Sequence, residues 1–185
     1  MPRIDPLPRD EWDDELRPIL ELQPPGADVP LGELNIFATF ARNKPLFQAW
    51  LPLGGYLLTG GLLPGREREL LILRTAFNCR SAYEWGQHVR IALAGGMERA
   101  DIDRVAEGPD ADGWVPADRA LLRAADELHA DAKIADDTWA ALSASYDETA
   151  LMEIAMLVGQ YHLVAFALNS LEVELDDGLE GLPES

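Results

Sequence analysis

Apolar residues recur along this chain three and four positions apart, in segments punctuated by proline and glycine, whereas strand-like alternation and hairpin dipeptides are scarce. The period predicts an all-α fold. A short amphipathic helix is expected near Glu11–Leu22, followed by a break at Gln23–Pro30, where clustered prolines forbid helix. Further helices are expected over Glu33–Arg42, Pro45–Leu58, Arg66–Phe77, Ser81–Ala94, Glu98–Ala106, Ala117–Ala130, Asp137–Ser145 and Glu148–Leu171. Pro45 falls in a first turn, where a missing N–H is harmless; Gly95 and Gly96 offer a left-handed exit, and Asp147 an N-cap. Only Asn78-Cys79-Arg80 joins the helices on either side, so these two should fold back as an αα-hairpin at the centre of a helical bundle. The domain reading is an arm over 1–30, one helical domain over 31–175 and an acidic tail over 176–185, with the chain from Glu172 onward expected to fray.

Composition narrows the class without changing the fold. A chain of 185 residues buries about 70% of its unfolded surface, enough for a sizeable core. Net charge is −18, from 33 acidic against 15 basic residues, and such a surface repels phosphate backbones and anionic headgroups. Nucleic acid and membrane are therefore not expected as partners. The apolar run Ile154–Leu168 is interrupted by Gln160 and His162 and preceded by Glu153, which reads as a buried helix rather than a span. Its load of Leu, Ile, Met and Val exceeds what a monomer of this size hides, so self-association is expected. The first residues lack a basic segment leading into an apolar one, and the expected location is cytoplasmic. Cys79 is the single cysteine, which excludes an intrachain disulfide and any CxxC redox or zinc motif.

Candidate chemistry concentrates in Arg66–His88. Glu84 and His88 stand four apart and share a helix face, and the hairpin brings Glu69 from the preceding helix alongside. Two carboxylates and an imidazole are the raw material of general acid/base catalysis. Plainer readings compete. Ser81-Ala82-Tyr83-Glu84 is also a capping box, Glu69 could pair at the surface with Arg66 or Arg68, and Tyr83 and Trp85 could be packing residues. His162 reads as a core or interface histidine and His129 as solvent-exposed; no cofactor or metal is expected.

The run Tyr83-Glu84-Trp85-Gly86-Gln87-His88, preceded by Arg68–Arg74 and followed by Ile91–Gly96, resembles the YEWxxH subgroup of the carboxymuconolactone decarboxylase family. The flanks Leu34–Arg42 and Thr149–Leu171 extend the resemblance over residues 30–175. AhpD-like peroxidases of that family carry a glutamate, a CxxC pair and a histidine in a register that here falls on Glu69, Ser81, Glu84 and His88. The resemblance implies an AhpD-like bundle that self-associates as a homo-trimer or homo-hexamer. It also implies a pocket for a small-molecule substrate, with His88, Glu84 and Glu69 catalytic and Ser81, Tyr83, Trp85, Arg74 and Arg80 binding substrate. Serine and glutamate cannot perform thiol redox chemistry, so the expected activity is cysteine-independent decarboxylation or isomerisation of a small oxygenated acid. Alternatives are a peroxide reductase using Cys79 alone and a non-catalytic binding or assembly protein.

Overall fold

A computed structural model describes residues 1–24 and 28–183. All regular structure among these residues is helical: α1 (Arg17–Leu20), α2 (Asn35–Phe40), α3 (Lys44–Gly55), α4 (Gly65–Asn78), α5 (Ala82–Ala94), α6 (Arg99–Glu107), α7 (Pro116–Asp131), α8 (Asp136–Ser143) and α9 (Glu148–Leu171), with short 3₁₀ turns in the arm.

The bundle is built around α4. Leu70, Leu71, Ile72, Leu73 and Ala76 are fully buried, because α5, α6, α7 and α9 enclose this helix on nearly every side. Each such leucine contributes about 1.5–3 kcal/mol relative to an exposed one. The α4–α5 corner is closed by Arg80 in the left-handed region, at φ 53°, with the Ser81 N–H donating to the Ala76 carbonyl at 2.9 Å. A tight reversal after a helix commonly uses this conformation, usually with glycine. The expected αα-hairpin thus forms, and it fixes how α5 faces α4.

The cap assigned to Asp147 is present: its carboxylate accepts from the Ala150 N–H at 2.9 Å. Asn43 caps α3, and Pro45 lies in the first turn as expected. Beyond α3 the chain widens into a π turn at Tyr56–Gly60. It is then secured by Glu153 of α9, whose carboxylate accepts from the Leu62 and Leu63 N–H groups.

Two expectations for the ends are corrected. The helix anticipated over Glu11–Leu22 shrinks to Arg17–Leu20 after a 3₁₀ turn at Arg9–Glu11. Asp13 accepts from the Glu15 and Leu16 N–H groups, which starts the helical turn late, and Pro18 fits only because it then lies in the first turn. The arm is nonetheless packed: Trp12, Leu16 and Leu20 form a small second core with Ala41 and Phe47. The break read at Gln23–Pro30 contains Pro25–Ala27, which lie outside the described residues.

The acidic tail does not fray up to Pro183. Asp176 accepts from the Asn35 N–H at 2.9 Å and from the Tyr83 hydroxyl and Gln87 amide, while Arg99 reaches Glu180 at 2.7 Å. The tail crosses α5 at Gly86, where an added Cβ would lie 2.5 Å from the Glu180 carbonyl oxygen. A side chain there would displace the crossing.

Helix α9 is long and apolar enough by composition to cross a membrane, but one side of it is core: Leu151, Ile154, Leu157, Val158, Val164, Ala165 and Leu168 are buried. Its other side presents Met152, Met156, Leu163 and Phe166, each more than half exposed, with Gly159 between them. The intervals of four, three, four and three along this seam are those of a helix-packing stripe.

Candidate functional site

The hairpin brings His88 of α5 against Glu69 of α4, with Nδ1 to Oε2 at 2.7 Å. Both are nearly removed from solvent, at 6% and 2% exposure. The other Glu69 oxygen accepts from Arg68 Nε at 3.2 Å, so the carboxylate bridges a guanidinium and an imidazole. A buried carboxylate with a hydrogen-bond partner on each oxygen is held in one orientation. It fixes the His88 ring in turn, leaving Nε2 as the free edge for chemistry.

Tyr161 of α9 completes the frame. Its ring meets the His88 ring edge-on, with centroids 4.9 Å apart. Burial pushes the Tyr161 hydroxyl well above its ordinary range.

Glu84 is 2% exposed and neither carboxylate oxygen has a hydrogen-bond partner among the described residues. Burial raises its pKa well above the ordinary 4.5. Burial without a partner disfavours the charged form, which favours the neutral acid at Glu84. The capping-box reading fails at both ends. Ser81 occupies the N-cap position of α5 at φ −90° and ψ 90°, yet its hydroxyl makes no cap bond and Glu84 does not reach back. The two residues are buried against α4 instead of lying at a solvated helix end.

The other sequence candidates are placed apart from this group. Arg74 is committed to Asp126, at 2.6 Å and 3.0 Å, and to the Val105 and Ala106 carbonyls. Arg80 is exposed at the corner, and its role there is carried by the backbone. Tyr83 gives its hydroxyl to Asp176 and accepts from the Ile36 N–H, which ties the tail and α2 to α5. Trp85 is buried in the main core beside Phe77. Sequence reasoning missed two residues of the frame. Tyr161 carried no motif, and Arg68 was considered only as a surface partner of Glu69; the one available signal was a tyrosine amid an apolar helix.

Two surface clefts lie elsewhere, one bordered by Asp131, Lys133 and Asp136, the other by Trp114, Arg119 and Thr138. Neither includes Glu69, Glu84 or His88.

An all-helical bundle with a buried glutamate–histidine pair in its central hairpin has the AhpD-like fold, and solved structures align with it. They include an alkylhydroperoxidase AhpD core, an uncharacterized peroxidase-related protein from Ralstonia eutropha JMP134 (23% identity, 93% of this chain and 91% of that one, TM-score 0.79). A second is a variant of the debrominase Bmp8 in complex with 2,3,4-tribromopyrrole (18% identity, 94% and 91%, TM-score 0.79). A third is an uncharacterized peroxidase-related protein from Silicibacter sp. TM1040 (18% identity, 94% and 88%, TM-score 0.76). Residues 44–127, which span the whole α4–α5 hairpin, match the model of the carboxymuconolactone decarboxylase family. No curated protein matches the sequence.

Proposed function

We propose that this protein is a cysteine-independent acid/base enzyme, of decarboxylase or isomerase type, acting on a small oxygenated organic acid. The observation that carries the reading is the buried 2.7 Å contact between Glu69 and His88, with a second, neutral carboxyl, Glu84, enclosed in the same hairpin. Two carboxyl groups in such different surroundings, one hydrogen-bonded on both oxygens and one without a partner, are suited to different roles. Glu69 orients His88; Glu84 is a proton or hydrogen-bond donor.

In decarboxylation of a vinylogous acid, the bond from the carboxylate to carbon breaks, its electron pair passes into the conjugated carbonyl, and carbon dioxide leaves. His88 then protonates carbon from Nε2, while protonated Glu84 donates to the developing oxyanion. An isomerisation uses the same groups, with the proton removed and returned at different carbons. Dry surroundings strengthen each of these interactions. The tribromopyrrole complex of the debrominase supports a small ring as the size class this fold accommodates.

We further read the exposed α9 seam as a contact between copies in a homo-trimer or homo-hexamer, because four large apolar side chains at helix-packing intervals are otherwise left in water. The peroxide-reductase alternative is disfavoured by Cys79 itself. Burial and the Glu84 carboxyl push its thiol up to about 11, whereas attack on peroxide requires a thiolate.

The test is proton transfer itself. Small keto acids and unsaturated lactone acids are incubated with the protein in D₂O and followed by NMR for carbon-bound deuterium and loss of carboxyl. The wild type is expected to catalyse one of these, and His88→Gln to lose about 10²–10⁴-fold. Full activity in a folded His88→Gln protein would sink the reading.

A further inference from the structure

Where α4, α7 and α9 meet, three helices bring together a thiol and two imidazoles. Cys79 ends α4, His129 lies in the last turn of α7, and His162 follows Tyr161 on α9. Cys79 Sγ lies 3.8 Å from His129 Nδ1, which lies 3.0 Å from His162 Nε2. All three atoms fall within 4.8 Å of one another. We propose that Cys79, His129 and His162 form a three-ligand site for a zinc-type divalent metal ion, with a fourth coordination position open to solvent.

Geometry supports this first. Tetrahedral zinc with its usual bond lengths, about 2.3 Å to sulfur and about 2.0–2.1 Å to nitrogen, separates a thiolate from an imidazole nitrogen by about 3.6 Å and two imidazole nitrogens by about 3.3 Å. The observed 3.8 Å and 3.0 Å differ from these by a few tenths of an ångström, within the reach of side-chain rotation. The ligands come from distant points of the chain, so folding preorganises them.

The ring of His162 is already set as a ligand. Its Nδ1–H donates to the Val158 carbonyl at 2.8 Å, which leaves Nε2 without a proton and aimed at the cluster. Ligating histidines ordinarily carry this second bond to a carbonyl or carboxylate. His129 Nδ1 then holds the proton shared with His162, and its other ring nitrogen is free to take that proton when a metal arrives, because His129 is exposed. The backbone at Cys79 is pinned to α9 by Asn169, whose amide donates to the Cys79 carbonyl at 2.8 Å. Asp126 is engaged by Arg74 and Asn78 and so is not a competing ligand.

Binding displaces one proton per ion, from the Cys79 thiol, as the metal–thiolate bond forms; the two imidazoles bind as neutral donors. The inference does not rest on the proposed function, although Cys79 lies near enough to Glu84 to feel its carboxyl. A strongly acidic surface gathers divalent cations loosely everywhere, so the experiment must read the thiolate.

Purified, metal-stripped full-length protein is titrated with Co²⁺ and then Zn²⁺. The expected result is one ion per chain, a near-ultraviolet thiolate-to-cobalt charge-transfer band with intense visible bands of tetrahedral cobalt, and displacement of cobalt by zinc. His129→Gln, at an exposed position, tests the site without disturbing the core and is expected to weaken zinc binding at least about 10–100-fold. Cys79→Ser is expected to abolish the charge-transfer band while circular dichroism remains helical. Absence of the band in the wild type, or zinc affinity unchanged in His129→Gln, would overturn the site.

Discussion

Tyr161 and His162 are consecutive on α9, yet they serve two histidine clusters of opposite character. Successive helical residues diverge by about 100°, so Tyr161 turns inward against His88 while His162 turns toward His129 and the surface. On the inner side the imidazole is held by a carboxylate in a dry interior. On the outer side a thiol and two imidazole rings face each other near water, with a carbonyl accepting from one of them. The residue type is the same; its neighbours decide whether histidine is arranged to move a proton or to offer a lone pair.

The largest expected effect separates the two. His88→Gln should cut proton-transfer rates about 10²–10⁴-fold while leaving the stoichiometry of bound zinc at one per chain. If His88→Gln lost zinc as well, the clusters would be coupled and the contrast would break. Next in size is the response to metal. Zinc at about 100 times its dissociation constant should stabilise the wild type by about 2.7 kcal/mol, read by chemical denaturation, and His129→Gln much less.

The pH dependence of stability sharpens the inner side. Burial raises the Glu84 pKa in the folded state, so its contribution is full below the unfolded value near 4.5 and is lost as pH rises toward the folded value. Stability of Glu84→Gln relative to wild type should therefore increase with pH by about 1.4 kcal/mol per unit above that point. A pH-independent difference in urea midpoints would mean that Glu84 is not held neutral. The smallest expected change is at the corner, where Arg80→Gly should add up to about 1 kcal/mol by relieving a left-handed backbone at φ 53°.

The sequence was most informative where a local rule coincided with packing. The apolar period and the short Asn78–Arg80 connection gave α4, α5 and their reversal, and register alone placed Glu69 beside His88. It misled where a local rule competed with burial. Ser81 and Glu84 have the spacing of a capping box, but the helix start is sealed under α4 and its cap bonds are not made. Acidity suggested a loose tail, whereas Asp176 finds three donors from α2 and α5 that no local pattern reveals. The Cys79, His129 and His162 cluster was illegible for the same reason. Its members are 50 and 33 residues apart, and only the packing of α4, α7 and α9 unites them.

The claim on which the inner site rests is that Glu84 is a neutral carboxylic acid, buried in the same hairpin as the hydrogen-bonded Glu69 and His88. Isotope-edited infrared spectroscopy of protein labelled at the glutamate carboxyl carbons reads this directly. At neutral pH a protonated carboxyl stretch should be present in the wild type, persist in Glu69→Gln and vanish in Glu84→Gln. A neutral-pH spectrum showing only ionised carboxylates would contradict the account.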